Sequence, residues 1–236
     1  MIIIDSTQDF NSLAQDCKSS DIVLIPIPSD HSSHPRCSNI TGIYISTLNN
    51  MHNYYISVKH EESLHNFTLE QIIGVIDTPH KKYVPDIKEF MHNFNIKNLE
   101  CCNSMAYYHS GKKIEQEYTK AHSKLYSMYW NRKNVNEIIP IYKHIEYCQE
   151  LDKKIRAIID VQPTDDSGYI KMLNFMKSLS KIESSGLNTP EGLEYSYYNP
   201  FTMTGRPSNT FNKINYAALN KADGTRNKYI SRFNSG

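Results

Sequence analysis

A stretch near the end of the chain, Thr202-Met203-Thr204-Gly205-Arg206-Pro207-Ser208-Asn209, gathers three hydroxyls, a guanidinium and a glycine within eight residues. Thr202, Thr204 and Ser208 offer short donors of the kind that position phosphates. Gly205 lets the backbone come close to a groove, and Arg206 beside it carries a planar fork of donors. Contacts of this type hold a nucleic-acid backbone irrespective of base sequence and weaken as salt rises. Farther on, Arg226 and Lys228 extend the basic character. From Thr202 to Gly236 six Lys and Arg stand against Asp223 alone, although the whole chain carries only +1. The positive charge is therefore concentrated at this end and the remainder is net acidic. A solvated basic face is the plain alternative for such a run.

Other groupings carry weaker chemistry. Asp30, His31, His34 and Cys37 have the residue types of a metal site, but a mixed polar loop is the simpler reading. Cys101, Cys102 and His109 could act as nucleophile and base, yet adjacent cysteines on a helix are expected to pack. Five cysteines, an odd number without Cys-x-x-Cys spacing, suggest neither a disulfide framework nor a zinc site and are read as reduced, mostly buried thiols. Tyr107, Tyr108, Tyr126, Tyr129 and Trp130 could stack on single-stranded bases, with core packing the expected role. No catalytic residue and no metal ligand is assigned.

The elements that must position the basic segment follow from pattern. Ile22–Ile27, Ile40–Ser46 and Tyr54–Lys59 are β-branched and aromatic runs bounded by turn-forming residues, and they predict three strands with hairpin-like connections. Thr68–Val75 is expected as a helix followed by a strand at Ile76–Asp77, and Pro85 lies near the start of a helix over Asp86–Asn93. From Asn103 to about Ile159 apolar stripes predict helix. Asp160–Gly168 concentrates Pro, Asp, Ser and Gly and marks a boundary. A helix over Tyr169–Ser184 should end in a glycine cap at Gly186, and Tyr195–Gly236 reads as extended chain and loops.

The Thr-x-Thr-Gly-Arg-x-Ser core, an Asn-rich stretch and Gly224-Thr225-Arg226-Asn227-Lys228 follow one another in the order that family A DNA polymerases carry just before their first catalytic palm motif. Lys181-Ile182-Glu183-Ser184-Ser185-Gly186-Leu187 precedes them where those polymerases have a helix ending in a similar phrase. Over about Lys181–Phe233 the chain thus resembles that family. It departs at Pro207, where the family usually has leucine, and its Gln-Asn-Ile-Pro phrase is echoed only loosely at Leu219–Lys221.

The resemblance implies that Arg206 touches the minor groove near the primer terminus. With Thr202, Thr204, Gly205, Ser208 and Asn209 it would form the contact to primer–template DNA, and Arg226 and Lys228 would lie near the incoming nucleotide's phosphates. Residues 161–236 would be the start of the polymerase domain, a thumb helix and an extended palm-entry segment. The two palm carboxylates that hold metal ions are not among these residues. The expected partner is therefore a second chain or downstream segment bearing palm and fingers. Mg2+ is expected for the complete polymerase and no cofactor for this chain alone.

Residues 1–160 would then occupy the place of a 3′–5′ exonuclease, an α/β RNase H-like domain with a sheet flanked by helices and four acidic metal ligands. Its Asp-x-Glu motif should fall in Asp21–Pro35, where the relevant positions are Ile and Pro. Asp86 in Val84–Phe94 is the plausible acid of the second motif. Tyr147 and Asp152 echo the last, Tyr-x-x-x-Asp, one residue too far apart. A domain that keeps the fold and has lost hydrolysis is expected. A stand-alone DNA-binding accessory protein and an active exonuclease are the alternatives.

At 236 residues with 39% hydrophobic content, a real core is affordable in one large domain or two small ones. No apolar run reaches the roughly 18 residues of a membrane span, and Asp5 interrupts the apolar start, so a cytoplasmic protein without a membrane partner is expected. The Asn-, Ile-, Lys- and Tyr-rich composition suggests an AT-rich genome, as in a virus or phage.

Overall fold

The computed structural model describes residues 1–30, 34–114, 123–128, 132–189, 192–202, 204–209, 220, 222–228 and 230–231. The chain divides into two compact units, Met1–Leu173 and Asn174–Gly236. Its α-helices among the described residues are α1 (Thr7–Ser19), α2 (Leu69–Ile76), α3 (Ile87–Phe90), α4 (Cys102–Ser110), α5 (Ser123–Met128), α6 (Ile141–Ile159) and α7 (Ser167–Ser185).

In the first unit the three apolar runs are strands. β2 (Ile22–Pro28), β3 (Ile40–Thr47) and β4 (Asn53–Ser57) form an antiparallel meander. β3 is buried at every position and β2 at all but Pro26 and Pro28. Cover on both faces explains why these strands read as apolar runs rather than alternating ones. β1 (Ile2–Ile3), β5 (Lys82–Val84) and β6 (Leu99–Cys101) complete a six-stranded sheet of order β1-β4-β3-β2-β5-β6. β1 runs parallel to β4, and β5 runs parallel to both β2 and β6. The β2–β5 pairing ends at Val23↔Tyr83. Beyond it that edge of β2 has no strand beside it, which accommodates prolines that lack an N–H.

Successive residues of a strand point to opposite faces, and this places the helices. The Tyr54 hydroxyl donates to Asp16 of α1 at 2.7 Å, whereas Tyr55 stacks on His144 of α6 with ring centroids 6.2 Å apart. α1 packs with α2 and α4 with α6. α1 begins at Ser6, which accepts from the Asp9 N–H, and buries Leu13 and Cys17 one turn apart. α2 begins with a capping box between Thr68 and Gln71 and buries Ile72 and Ile76. Gly42 lies under the Tyr55 ring, where a Cβ would stand 2.2 Å from the hydroxyl, so only glycine fits.

Two expectations are corrected. Ile76–Asp77 is the end of α2 and not a strand: the Asp77 N–H donates to the Ile73 carbonyl at 2.9 Å, and the strand lies at Lys82–Val84. The helical stretch after Asn103 is interrupted at Gly111, whose φ of +73° is left-handed and ends α4.

In the second unit α7 ends at Ser185, and Gly186 follows at φ +66°. A Cβ there would approach the Leu193 Cδ1 to 2.9 Å and the Glu194 carbonyl to 3.1 Å, so the cap requires glycine for space as well as for φ. β7 (Leu187–Thr189), β8 (Gly192–Glu194) and β11 (Ile230–Ser231) form an antiparallel sheet, and β9 (Tyr198–Asn199) pairs with β10 (Ser208–Asn209).

Candidate nucleic-acid interface and the cleft beside β2

The Thr-Gly-Arg segment is the tip of the β9–β10 hairpin. Asn199 pairs with Ser208 and Tyr198 with Asn209. Within the loop the Gly205 N–H donates to the Thr202 carbonyl at 3.1 Å, and the Thr202 hydroxyl donates to the Arg206 carbonyl at 2.8 Å. Gly205 sits at φ +70°, a turn position that disfavours any Cβ. Thr204, Gly205 and Arg206 are exposed, while Thr202, Ser208 and Asn209 are half-buried. The loop's own bonds therefore occupy Thr202, and Arg206 is presented outward. Asn209 accepts from the Tyr197 N–H at 3.0 Å and steadies the base.

Arg226 and Lys228 are exposed on a 3-10 turn, Thr225–Lys228, that leads into β11. Its start is held by Asp223, which accepts from the Thr225 N–H at 2.9 Å. Hydrogen bonds from the Thr225 side chain and backbone hold the Asp223 carboxyl below the usual carboxylate range. Met203, Lys213, Leu219, Lys221 and Arg232 lie outside the described residues.

Beneath the hairpin base is a carboxylate that the motif reading did not single out. Glu183, in the last turn of α7, is fully buried and accepts from the Tyr198 N–H at 2.6 Å. Its signal in the sequence is an acid at the end of the buried stripe Met176, Leu179, Ser180, Glu183.

In the first unit, a cleft of about 60 Å³ lies where the end of β2 meets the start of α3 and the middle of α6. It is lined by Ile25 and Ile27 of β2, Asp86 and Glu89 at α3, and Tyr147 and Leu151 of α6. Ile25 and Ile27 pair with Tyr44 and Gly42, on the face that α6 covers. Asp86 caps α3, accepting from the Lys88 N–H at 2.9 Å, and it also accepts from the Asn103 amide at 3.4 Å. The pair with Tyr-x-x-x-Asp spacing is thus Tyr147–Leu151, not Tyr147–Asp152. Four acids would be needed to hold two divalent ions here, and the lining supplies three aliphatic side chains and a capping aspartate. These residues do not fit a two-metal centre.

Asp152 has a different role. Its Oδ2 accepts from Arg156 Nε at 3.0 Å, the Ser46 hydroxyl at 3.2 Å and the Tyr44 hydroxyl at 3.4 Å. Arg156 also donates to the Thr47 carbonyl at 3.0 Å. Burial first, and then the Asp152 charge, push the Tyr44 hydroxyl pKa up.

The remaining constellations also act as structure. The His34 ring accepts from the Arg36 N–H at 3.1 Å and packs edge-on against His92 at 5.0 Å. His31, Tyr129 and Trp130 lie outside the described residues. Four of the five thiols are buried. Burial pushes Cys17 and Cys101 up to about 12 and Cys102 and Cys148 well above the ordinary value. Thiol titration of the native protein at pH 8 is therefore expected to count Cys37 alone, and all five in denaturant. Rapid native reaction of a second thiol would contradict the packing.

A meander extended by parallel strands and flanked by helices on both faces is an RNase H-like α/β architecture. Among solved structures the chain is similar to the POL domain of Pol1 from M. smegmatis in complex with DNA primer-template and dNTP. The identity is 11%, covering 80% of this chain and 33% of that one, with a TM-score of 0.45. It is also similar to a nuclease in its apo form, at 13% identity over 77% of this chain and 89% of that one, with a TM-score of 0.44. The chain spans about a third of the length of the polymerase domain. No family model and no curated protein sequence matches it. Among the described residues no helix is long and apolar enough to cross a membrane.

Proposed function

We propose that this chain is the part of a family A DNA polymerase that grips primer–template DNA, joined to an exonuclease-like domain that no longer hydrolyses. The observation that carries the first half is the hairpin tip, where a left-handed Gly205 holds Arg206 exposed between short hydroxyls. The second half rests on the cleft, where Ile25, Ile27 and Leu151 stand at the places of metal-binding acids. Synthesis itself is assigned to a palm and fingers outside these residues, on a second chain or further segment, working with Mg2+.

Arg206→Ala should weaken binding of a primer–template duplex about tenfold regardless of its sequence, and lower the slope of log affinity against log salt by about 1. Fluorescence anisotropy across a salt series measures both. Unchanged affinity and slope would remove Arg206 from the interface. A stand-alone DNA-binding accessory protein would use the same hairpin. Primer extension that appears when the palm-bearing polypeptide is added supports the polymerase, and binding without extension in any mixture supports the accessory protein.

A further inference from the structure

We propose that Glu183 is the positioning residue of the DNA-contact hairpin, setting the direction in which Arg206 is presented. The inference rests on the reading of Arg206 given above and adds a residue to it. A buried carboxylate in the last turn of a helix is disfavoured twice, by desolvation and by the negative end of the helix dipole. A position that needed only packing would take an aliphatic side chain. What Glu183 gains is a short, charge-assisted bond from the Tyr198 N–H at 2.6 Å. Tyr198 opens β9 and pairs with Asn209, which in turn accepts from the Tyr197 N–H. The hairpin base is therefore clamped on both sides, by α7 through Glu183 and by β10 through Asn209. Beyond that base the loop is held by its own turn bonds, so the tilt of the tip relative to α7 follows from the Glu183 contact.

The test compares Glu183→Ala, Glu183→Gln, Arg206→Ala and the Glu183→Ala/Arg206→Ala double variant in anisotropy titrations with a primer–template duplex. Tyr198 amide exchange is measured in the wild type. Glutamine keeps the acceptor and should bind within about threefold of wild type, whereas alanine should lose about tenfold. Its salt slope should stay at the wild-type value, because no phosphate contact is removed. The double variant should bind no more weakly than Arg206→Ala, since both act through one contact. Additive losses, or an alanine variant that binds like wild type, would overturn the proposal. So would a wild-type Tyr198 amide that exchanges as fast as that of exposed Thr204, a result that does not depend on any variant folding. If the wild type fails to bind duplex DNA, the functional reading falls, and Tyr198 exchange in Glu183→Ala against wild type still decides whether Glu183 anchors the hairpin.

Discussion

Arg156→Ala is expected to destabilise the first unit by about 3 to 5 kcal/mol, the range for removing one partner of a buried ion pair. Asp152 is 6% exposed, and its Oδ1 is buried without a hydrogen-bond partner. The carboxylate is therefore balanced almost entirely through Oδ2, and Arg156 supplies the only cation on it among the described contacts. Removing the guanidinium leaves the charge with two hydroxyl donors, from Ser46 and Tyr44. Ser46 has a second partner in Asn53 at 2.7 Å, so replacing both members, as Asp152→Leu with Arg156→Met, should recover part of the loss. Urea unfolding of the three variants measures this. A loss below about 1 kcal/mol for Arg156→Ala would place the pair among weak surface bridges.

The second large effect is an absence of metal chemistry in the cleft. With single-stranded DNA and either Mg2+ or Mn2+, nucleotide release should stay at the level of buffer alone. A two-metal nuclease would exceed that by many orders of magnitude. Stability provides an independent readout, because an ion bound only by the folded state at a hundred times its Kd adds about 2.7 kcal/mol. No such metal-dependent gain is expected here. Asp86→Ala should cost about 1 kcal/mol, the worth of a helix cap, equally with and without the ion. Metal-dependent release abolished by Asp86→Ala would restore Asp86 as a ligand and overturn the degenerate reading.

Where the sequence alone sufficed, the signal was local and repeated. β2, β3, β4, α2, α6 and α7 were legible because their apolar residues recur over enough positions to set a period, and Gly186 because only glycine closes a helix at positive φ without strain. The Thr202–Asn209 segment was legible as a string, since its residue types and order carry the chemistry. β5 and β6, three residues each, have no periodicity to read and exist because β2 offers an unpaired edge. α1 was missed because its stripe is short and weakly apolar, and its burial depends on α2. The cleft was decided by packing. On a helix, residues 151 and 152 point about 100° apart, so only the docking of α6 on the sheet sends Leu151 into the cleft and Asp152 to Arg156. Glu183 likewise acquires its role from a residue fifteen positions away, a pairing that no local pattern encodes and that the folded hairpin creates.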